Sequence, residues 1–313
     1  MALQIGQCGL CLTNAELHES HLLPAALYKM FRNPSPENDP NPAVTTRTTS
    51  FTSSRQVVSP FLCGVCEHRF SQNGESYVLD QCARGDDQFK LRELLLAATP
   101  LGCDSERGIS VYDAQSLLGR KINPYLYFAA SVFWRASAHR WKMGSEPVAQ
   151  ISLGSTYQEQ FRLYLLGKEA FPDKARLVVH VSSEEKPHFV TVFPCATRTN
   201  GVPRHKFYIP GLLFILFLSG HAVKQFDGGA LNGSKQQLIW VCPWEEDSLF
   251  YGSVRLVKAS TPTGKLRRKN EGARGLYLPN CCRMWPSSGR ISFSMARRTA
   301  FSEPGVEKMI RPL

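Results

Sequence analysis

Two cysteine pairs with the same short spacing are the residues of this chain best suited to bind a metal. Cys8 and Cys11 form one C-x2-C pair, and Cys63 and Cys66 form the other. Each pair can fold into a tight knuckle that presents two sulfur atoms, and four thiolates around one Zn²⁺ make a closed, structural site. The alternative is four buried cysteines without a metal. The paired spacing favours structural zinc.

A histidine between the two pairs is a candidate general base. His21 follows Ser20 and precedes an apolar Leu-Leu-Pro turn, so we expect it at the edge of a strand. Because an imidazole has a pKa near neutrality, it can accept and donate protons in catalysis. The alternative is a half-buried core histidine. The flanking cysteine pairs, which would hold His21 in a fixed frame, favour the catalytic base.

Two glutamates follow the second cysteine pair on a segment that we predict to be a helix over residues 66–78. Glu67, Ser71 and Glu75 are four residues apart and therefore share one helix face. Carboxylate oxygens are the ligands that a hard cation such as Mg²⁺ prefers. Glu67 and Glu75 could therefore bind such a cation from one helix face, with Glu75 as a possible second carboxylate. The alternatives are a glutamate stabilised by the helix dipole and a solvated surface glutamate.

The N-terminal pattern resembles the HNH, or His-Me finger (ββα-metal), endonucleases, in particular their zinc-bound treble-clef branch. It is also similar to a group of bacterial HNH-like proteins that carry an SHIIP motif between two cysteine pairs. The resemblance covers about 75 of the 313 residues. The segments that carry it are Cys8-Gly-Leu-Cys11, Ser20-His21-Leu-Leu-Pro and Cys63-Gly-Val-Cys66-Glu67-His-Arg-Phe-Ser.

The resemblance implies a metal-dependent endonuclease that hydrolyses phosphodiester bonds of nucleic acid, with DNA favoured as substrate. His21 falls on the position of the general base, and the cysteines fall on the positions that bind structural zinc. The catalytic ion would be Mg²⁺ or Mn²⁺. Two positions depart from the family pattern: Ser20 replaces an Asp ligand, and Glu67 replaces an Asn ligand. We therefore expect Glu67 to be the main protein ligand of the catalytic ion and Ser20 to make at most a weak or water-mediated contact.

The resemblance also carries expectations about biology. Bacterial nucleases of this kind often serve in defence against phage or mobile DNA, frequently with a separate sensor or ATPase protein, and a homing or mobile-element nuclease is a further role. Homo-oligomerisation stays open. The alternative function is a non-catalytic zinc treble-clef module that binds nucleic acid or protein, for which Ser20 in place of the Asp would be the sign. The carboxylate of Glu67 favours the enzyme.

Positive charge is concentrated at the C-terminal end. The net charge is +11, yet residues 1–82 carry five Lys and Arg against seven Asp and Glu, whereas residues 251–313 carry thirteen against three. A basic segment of this kind indicates a polyanionic partner, here nucleic acid. The alternative is a solvated tail without a partner. The densest cluster predicts the contact residues, which are Lys265, Arg267, Arg268 and Lys269.

The chain is predicted to be α+β and to fall into four parts. Residues 1–82 would form the zinc-bound nuclease module, in which residues 33–60, with fifteen Ser, Thr or Pro, are expected to be a flexible loop. Residues 83–146 are predicted to be a helical connector with aromatic residues in the core. Residues 147–260 contain apolar runs typical of strands and predict an α+β domain of unassigned role. Residues 261–313 are predicted to be a basic, poorly ordered tail.

One apolar stretch requires a choice between a membrane span and a buried element. Residues 207–223 fall short of the ~20 apolar residues of a span and are interrupted by Pro210 and Gly211, so we predict a buried central strand or core helix. The N-terminus lacks the basic segment of a signal peptide, and paired C-x2-C motifs favour metal thiolates over disulfides. We therefore expect a cytoplasmic protein without a membrane partner.

Overall fold

The computed structural model of this protein describes residues 4–32, 41–45, 49–84, 88–143, 146–148, 151–184, 190–199, 202–243, 259–264 and 276–278. The described residues form a mixed α+β structure, as the sequence predicts. The strands are β1 (Ile5–Gln7), β2 (Asn14–His21), β3 (Ala43–Thr45), β4 (Thr49–Thr52), β5 (Val58–Cys63), β6 (Gly102–Asp104), β7 (Ile109–Asp113), β8 (Trp141–Met143), β9 (Glu146–Val148), β10 (Ala175–Ser182), β11 (Val190–Thr199), β12 (Val202–Ile209), β13 (Leu212–Leu218), β14 (Leu238–Cys242), β15 (Thr261–Pro262) and β16 (Leu276–Leu278). The α-helices are α1 (Ala25–Met30), α2 (Gly64–Phe70), α3 (Ser76–Gln81), α4 (Lys90–Leu96), α5 (Ala114–Leu118), α6 (Ile122–Ala138), α7 (Ser155–Leu165) and α8 (Gly220–Phe226).

A small antiparallel sheet carries Cys63 and the candidate base, and Cys8 and Cys11 lie in the connection between its first two strands. Its strand order is β1-β2-β5, with β2 in the centre. The register between β2 and β5 shifts after His18 and leaves Phe61 as an extra residue on β5. Pro60 has no N–H to donate to the ladder, which favours a bulge at this point. The sheet ends with Cys63 at the last position of β5 and His21 at the last position of β2.

One helical segment follows directly after β5, as predicted for residues 66–78. It runs through α2, a π-helical turn (Ser71–Glu75) and α3. Gly74 in this turn lies against α6, since a Cβ atom there would be 2.8 Å from the backbone nitrogen of Phe128. Glu67 lies in the first turn of α2, and Glu75 ends the π-helical turn. Such π-helical turns occur frequently at functional sites.

A large sheet of eleven strands forms the second layer of the fold. Its order is β15-β4-β3-β16-β11-β12-β13-β10-β14-β7-β6. All seven residues of β13 are buried, and this strand pairs antiparallel with β10 on one side and β12 on the other. The apolar stretch 207–223 therefore contains a buried central strand, as predicted. No helix in the described part of the chain is long and apolar enough to cross a membrane.

The loop expected over residues 33–60 is wrong where β3 and β4 lie. These strands pair antiparallel with each other, and β3 also pairs with β16 of the large sheet. Val44 and Thr45 are buried, and the hydroxyl groups of Thr45 and Ser50 lie 2.7 Å apart. Threonine favours strands because its branched side chain packs well on a pleated surface, so backbone pairing orders a stretch with few apolar residues.

The connector predicted over residues 83–146 is only partly helical. β6 and β7 lie within it and join the edge of the large sheet next to β14. Its long helix, α6, is buried as predicted and packs between the two layers. Phe61 stacks on Trp134 of α6 with ring centroids 5.5 Å apart, and Phe128 of α6 meets Phe214 of β13 at 5.5 Å. One hydrophobic core therefore extends from the cysteine pairs to the large sheet.

The described parts of the predicted tail are short. β15 pairs in parallel with β4, and β16 pairs in parallel with β3 and β11. The rest of the tail lies outside the described residues. The proposed division of the chain into domains stays a prediction.

Candidate metal centre and active-site cleft

The two cysteine pairs converge on one point. The sulfur atoms of Cys8, Cys11, Cys63 and Cys66 all lie within 4.8 Å of one another, and those of Cys11 and Cys63 are 3.9 Å apart. In a tetrahedral zinc site with Zn–S bonds of ~2.3 Å, neighbouring sulfurs are about 3.8 Å apart. The four cysteines are therefore compatible with a zinc ion, and their number would leave that ion no open position.

The first knuckle depends on two features of its backbone. Leu12 adopts a left-handed conformation with a φ of 64°, and its N–H donates to the carbonyl oxygen of Cys8 at 2.9 Å. Such a conformation is uncommon for a residue other than glycine. Gly9 lies against Phe61, because a Cβ atom there would be 2.1 Å from the phenyl ring. Phe61 thus both orders the knuckle and attaches it to α6.

The sulfur atoms are hydrogen-bonded in a way that suits thiolates. The Cys66 thiol and backbone N–H groups such as that of Cys63 donate to Cys8 Sγ, which lowers the pKa of Cys8. Donation to Cys8 in turn raises the pKa of Cys66. Thiolates at this spacing repel one another, so a cation is needed before all four can ionise together. The donor set favours a soft divalent ion such as Zn²⁺.

Two side chains that sequence reasoning missed support the knuckle from outside. Thr13 Oγ1 donates to Cys11 Sγ at 2.9 Å. Arg162, on α7, donates to the carbonyl oxygen of Leu10 at 2.7 Å and forms an ion pair with Glu159. Arginine beside a thiolate cluster offsets part of its negative charge. The sequence shows only the i,i+3 spacing of Glu159 and Arg162, which predicts their ion pair but not the hydrogen bond from Arg162 to Leu10.

A cleft of about 410 Å³ opens beside His21 at the end of β2. It lies between the end of β2, the start of α1 and the face of the α2–α3 segment. Its polar lining residues include His21, Glu67, His68, Ser71, Glu75 and Arg135. The predicted shared face of Glu67, Ser71 and Glu75 is therefore the face that lines this cleft, opposite His21.

His21 is held from three directions. Its Nε2 atom lies 2.5 Å from Gln56 Oε1, and its ring lies 5.9 Å from the ring of Tyr28, centroid to centroid. Its carbonyl oxygen accepts a hydrogen bond from Arg135 Nη1 at 2.8 Å. Both the backbone and the imidazole are thus fixed at the rim of the cleft.

One carboxylate oxygen of Glu67 lacks a hydrogen-bond donor in the described part of the chain. This oxygen, Oε1, is buried and has no hydrogen-bond partner among the described residues. A buried acceptor without a donor costs about 1–3 kcal/mol, and more when the group is charged. A bound cation would remove that cost. This observation fits the predicted role of Glu67 as a ligand of a divalent ion.

Glu75 forms a buried ion pair with Arg135 on α6. Their Oε1 and Nη2 atoms lie 2.7 Å apart, and the side chain of Arg135 is only 1% exposed. Burial raises the pKa of Glu75, and the guanidinium beside it lowers that pKa in part. The carboxylate of Glu67 raises it further, while His21 lowers it. The interactions place these side chains in one electrostatic environment, with one oxygen of Glu75 already engaged.

Ser20 is not brought into the cleft. It is fully buried, and its Oγ accepts a hydrogen bond from the N–H of Leu62 at 2.9 Å. That N–H lies beside the bulge at Phe61, so the hydroxyl satisfies a backbone donor that the irregular ladder leaves over. The catalytic contact predicted for Ser20 is thus replaced by a structural one.

The remaining predicted site residues lie elsewhere. Lys265, Arg267, Arg268 and Lys269 fall outside the described residues. Arg135 and Gln56 were missed by sequence reasoning, because α6 reads as a core helix and Gln56 lies in a Ser- and Thr-rich stretch.

Comparisons with known proteins add no name to this site. No protein-family model, curated protein or solved structure matches the chain. The resemblance to HNH endonucleases therefore rests on the residues that carry it and stays a prediction.

Proposed function

We propose that this protein is a metal-dependent endonuclease that hydrolyses phosphodiester bonds of nucleic acid, with DNA favoured as substrate. The observation that carries the proposal is the pair of groups facing one cleft: a clamped histidine on a strand end, and a glutamate on the following helix with a buried oxygen that lacks a donor. The convergent cysteines support it, because a structural zinc ion would fix the strand and the helix relative to each other.

The residues divide the chemistry between them. His21 would take a proton from the attacking water, and Glu67 would hold a divalent cation such as Mg²⁺ or Mn²⁺. When bound, that cation would stabilise the negative charge that develops on the phosphate. The ion pair of Arg135 with Glu75 keeps the floor of the cleft close to electrically neutral, so that Glu67 supplies the main uncompensated negative charge. The basic C-terminal segment would hold the polyanion.

A cleavage assay tests this function. Purified protein is incubated with supercoiled plasmid in Mg²⁺ or Mn²⁺, beside the His21→Ala variant and a matched His68→Ala variant from the same cleft. We expect His21→Ala to lose about 10²- to 10⁴-fold in rate, the usual contribution of a general base. His68→Ala should keep most of the activity. A parent protein that cleaves neither DNA nor RNA, or a fully active His21→Ala variant, contradicts the proposal.

A second function is favoured by one observation. Because Ser20 is buried and bonded to the backbone, the position at which related nucleases carry an Asp supplies no ligand to the cleft. This is the arrangement expected of a zinc module that binds nucleic acid or protein without cutting it. Retarded migration of DNA without cleavage in any divalent metal would favour this alternative.

A further inference from the structure

The amide side chain of Gln56 contacts the imidazole of His21 and fixes both the position and the tautomer of the ring. His21 Nε2 and Gln56 Oε1 lie 2.5 Å apart. An amide oxygen can only accept a hydrogen bond, so in this orientation of the Gln56 amide the ring nitrogen that faces it is the donor and carries a proton. In the neutral ring the other nitrogen, Nδ1, then holds the lone pair.

Gln56 is itself anchored, so its contact with His21 is a built feature of the fold. The next residue, Val57, is buried, and its N–H donates to the hydroxyl of Tyr28 at 3.2 Å. The carbonyl oxygen of Val57 accepts from the N–H of Leu22 at 3.1 Å. The backbone at Gln56 is therefore tied to the residue that follows His21 and to the ring that packs against it.

We propose that Gln56 is a positioning residue that holds His21 in the tautomer with its proton on Nε2, which makes Nδ1 the base of the reaction. The inference rests on the proposed function and specifies which atom acts. Gln56 is not among the described residues that line the cleft, so it acts through His21 and not on the substrate.

In the proposed reaction, Nδ1 of His21 accepts the proton that the attacking water loses. Water gives one proton to Nδ1 of His21 while its oxygen forms a bond to phosphorus. The scissile P–O bond breaks, and its electron pair leaves with the sugar oxygen, which takes a proton from solvent. The imidazolium then returns its extra proton from Nδ1 to solvent, because the proton on Nε2 is held by Gln56.

The test reads the tautomer directly, without substrate. The full chain is labelled with ¹⁵N-histidine, and two-bond ¹H–¹⁵N correlations are recorded above the titration range of the ring, with His21→Ala to assign the signals. Gln56→Leu removes the acceptor at similar size, Gln56→Glu keeps an acceptor oxygen, and Gln115→Leu makes the same change at an exposed position on α5. We expect the Nε2–H form alone in the parent, in Gln56→Glu and in Gln115→Leu, and a mixture of both forms in Gln56→Leu.

Cleavage kinetics add a second readout. Gln56→Leu should lower kcat by at least about 10-fold and leave KM within about 2-fold of the parent value, whereas a wrong tautomer in a serine protease costs about 10⁴-fold. Gln56→Glu should restore most of the rate. An Nδ1–H form in the parent, or an unchanged tautomer in Gln56→Leu, overturns the inference even if the protein cleaves DNA. The expected spectra in a protein without nuclease activity would instead leave the positioning by Gln56 intact and reject the proposed function.

Discussion

Replacing Arg135 by Met should destabilise the fold by several kcal/mol, because it leaves Glu75 buried without its charged partner. The pair is short, at 2.7 Å, and its side chains are 1% and 14% exposed, so solvent screens it weakly. Removing one partner of such a pair leaves a buried charge uncompensated and costs about 3–5 kcal/mol. The same substitution removes the hydrogen bond to the carbonyl oxygen of His21. We therefore expect Arg135→Met to lower the free energy of unfolding by about 3–5 kcal/mol near neutral pH.

The cost of Arg135→Met should depend on pH, because Glu75 is titratable. Burial raises the pKa of Glu75 in the folded protein above the ordinary value of a glutamate, and Arg135 opposes that rise. A carboxyl group with a raised folded pKa contributes stability below its unfolded pKa and loses it as pH rises through the folded pKa. Without Arg135 the folded pKa of Glu75 rises further. The cost of Arg135→Met should therefore be smallest near pH 4, where the lost hydrogen bond to His21 remains, and grow as the pH increases, by at most ~1.4 kcal/mol per pH unit.

Urea unfolding of zinc-loaded protein, followed by circular dichroism from pH 4 to 8, measures both effects. The double variant Arg135→Met, Glu75→Gln removes both charges and should recover about half of the loss or more, because no buried charge is left alone. A cost for Arg135→Met below about 1 kcal/mol, the range of an exposed pair, or a cost independent of pH would refute the reasoning.

Three further predictions concern the metals and the tail. The purified protein should contain about one zinc per chain. Cys63→Ser should lose that zinc and lower the melting temperature, whereas Cys103→Ser, at an exposed cysteine, should do neither. Metal analysis and a thermal melt measure both effects, and a fully stable, zinc-free parent would contradict the prediction. Replacing Lys265, Arg267, Arg268 and Lys269 together by Gln leaves β15 and β16 in place and should weaken DNA binding and flatten its dependence on salt, because phosphate contacts release counterions. An unchanged slope in a salt titration would show that this cluster is not the anchor. Glu67→Gln should abolish cleavage across a Mg²⁺ titration without changing the zinc content, and an active Glu67→Gln variant would show that Glu67 is not a ligand of the catalytic ion. Ser20→Ala should keep the activity but lower the free energy of unfolding by about 1–3 kcal/mol, the cost of an unsatisfied buried donor.

The metal centre was readable in the sequence because its information is local. A C-x2-C spacing predicts a knuckle from four residues, and two such knuckles predict a shared metal ion. Cys8, Cys11, Cys63 and Cys66 do converge as this chemistry requires. The buried strand β13 could be predicted for the same reason, since a run of seven apolar residues is a local feature of the sequence. The face shared by Glu67 and Glu75 follows from helical periodicity and survives the π-helical turn between them.

The contacts that complete the cleft were not readable, because they join residues far apart in the chain. Arg135 lies 114 residues from His21 and 60 from Glu75. Its own helix is so apolar that its periodicity indicates only a core. β3 and β4 were missed for a related reason: their order comes from pairing with each other and with β16, and composition does not report a partner strand.

Ser20 shows how the backbone constrains the choice of metal ligand. The bulge at Phe61 leaves the N–H of Leu62 beside position 20, and the Ser20 hydroxyl satisfies it while donating to the carbonyl oxygen of His18. An ionised Asp at this fully buried position could accept from the first group but would face the second without a proton to give. Burying a carboxylate beside a carbonyl oxygen is costly. A backbone with this bulge therefore favours serine, and a cation in the cleft would have to be held from the helix side, where Glu67 presents its oxygen.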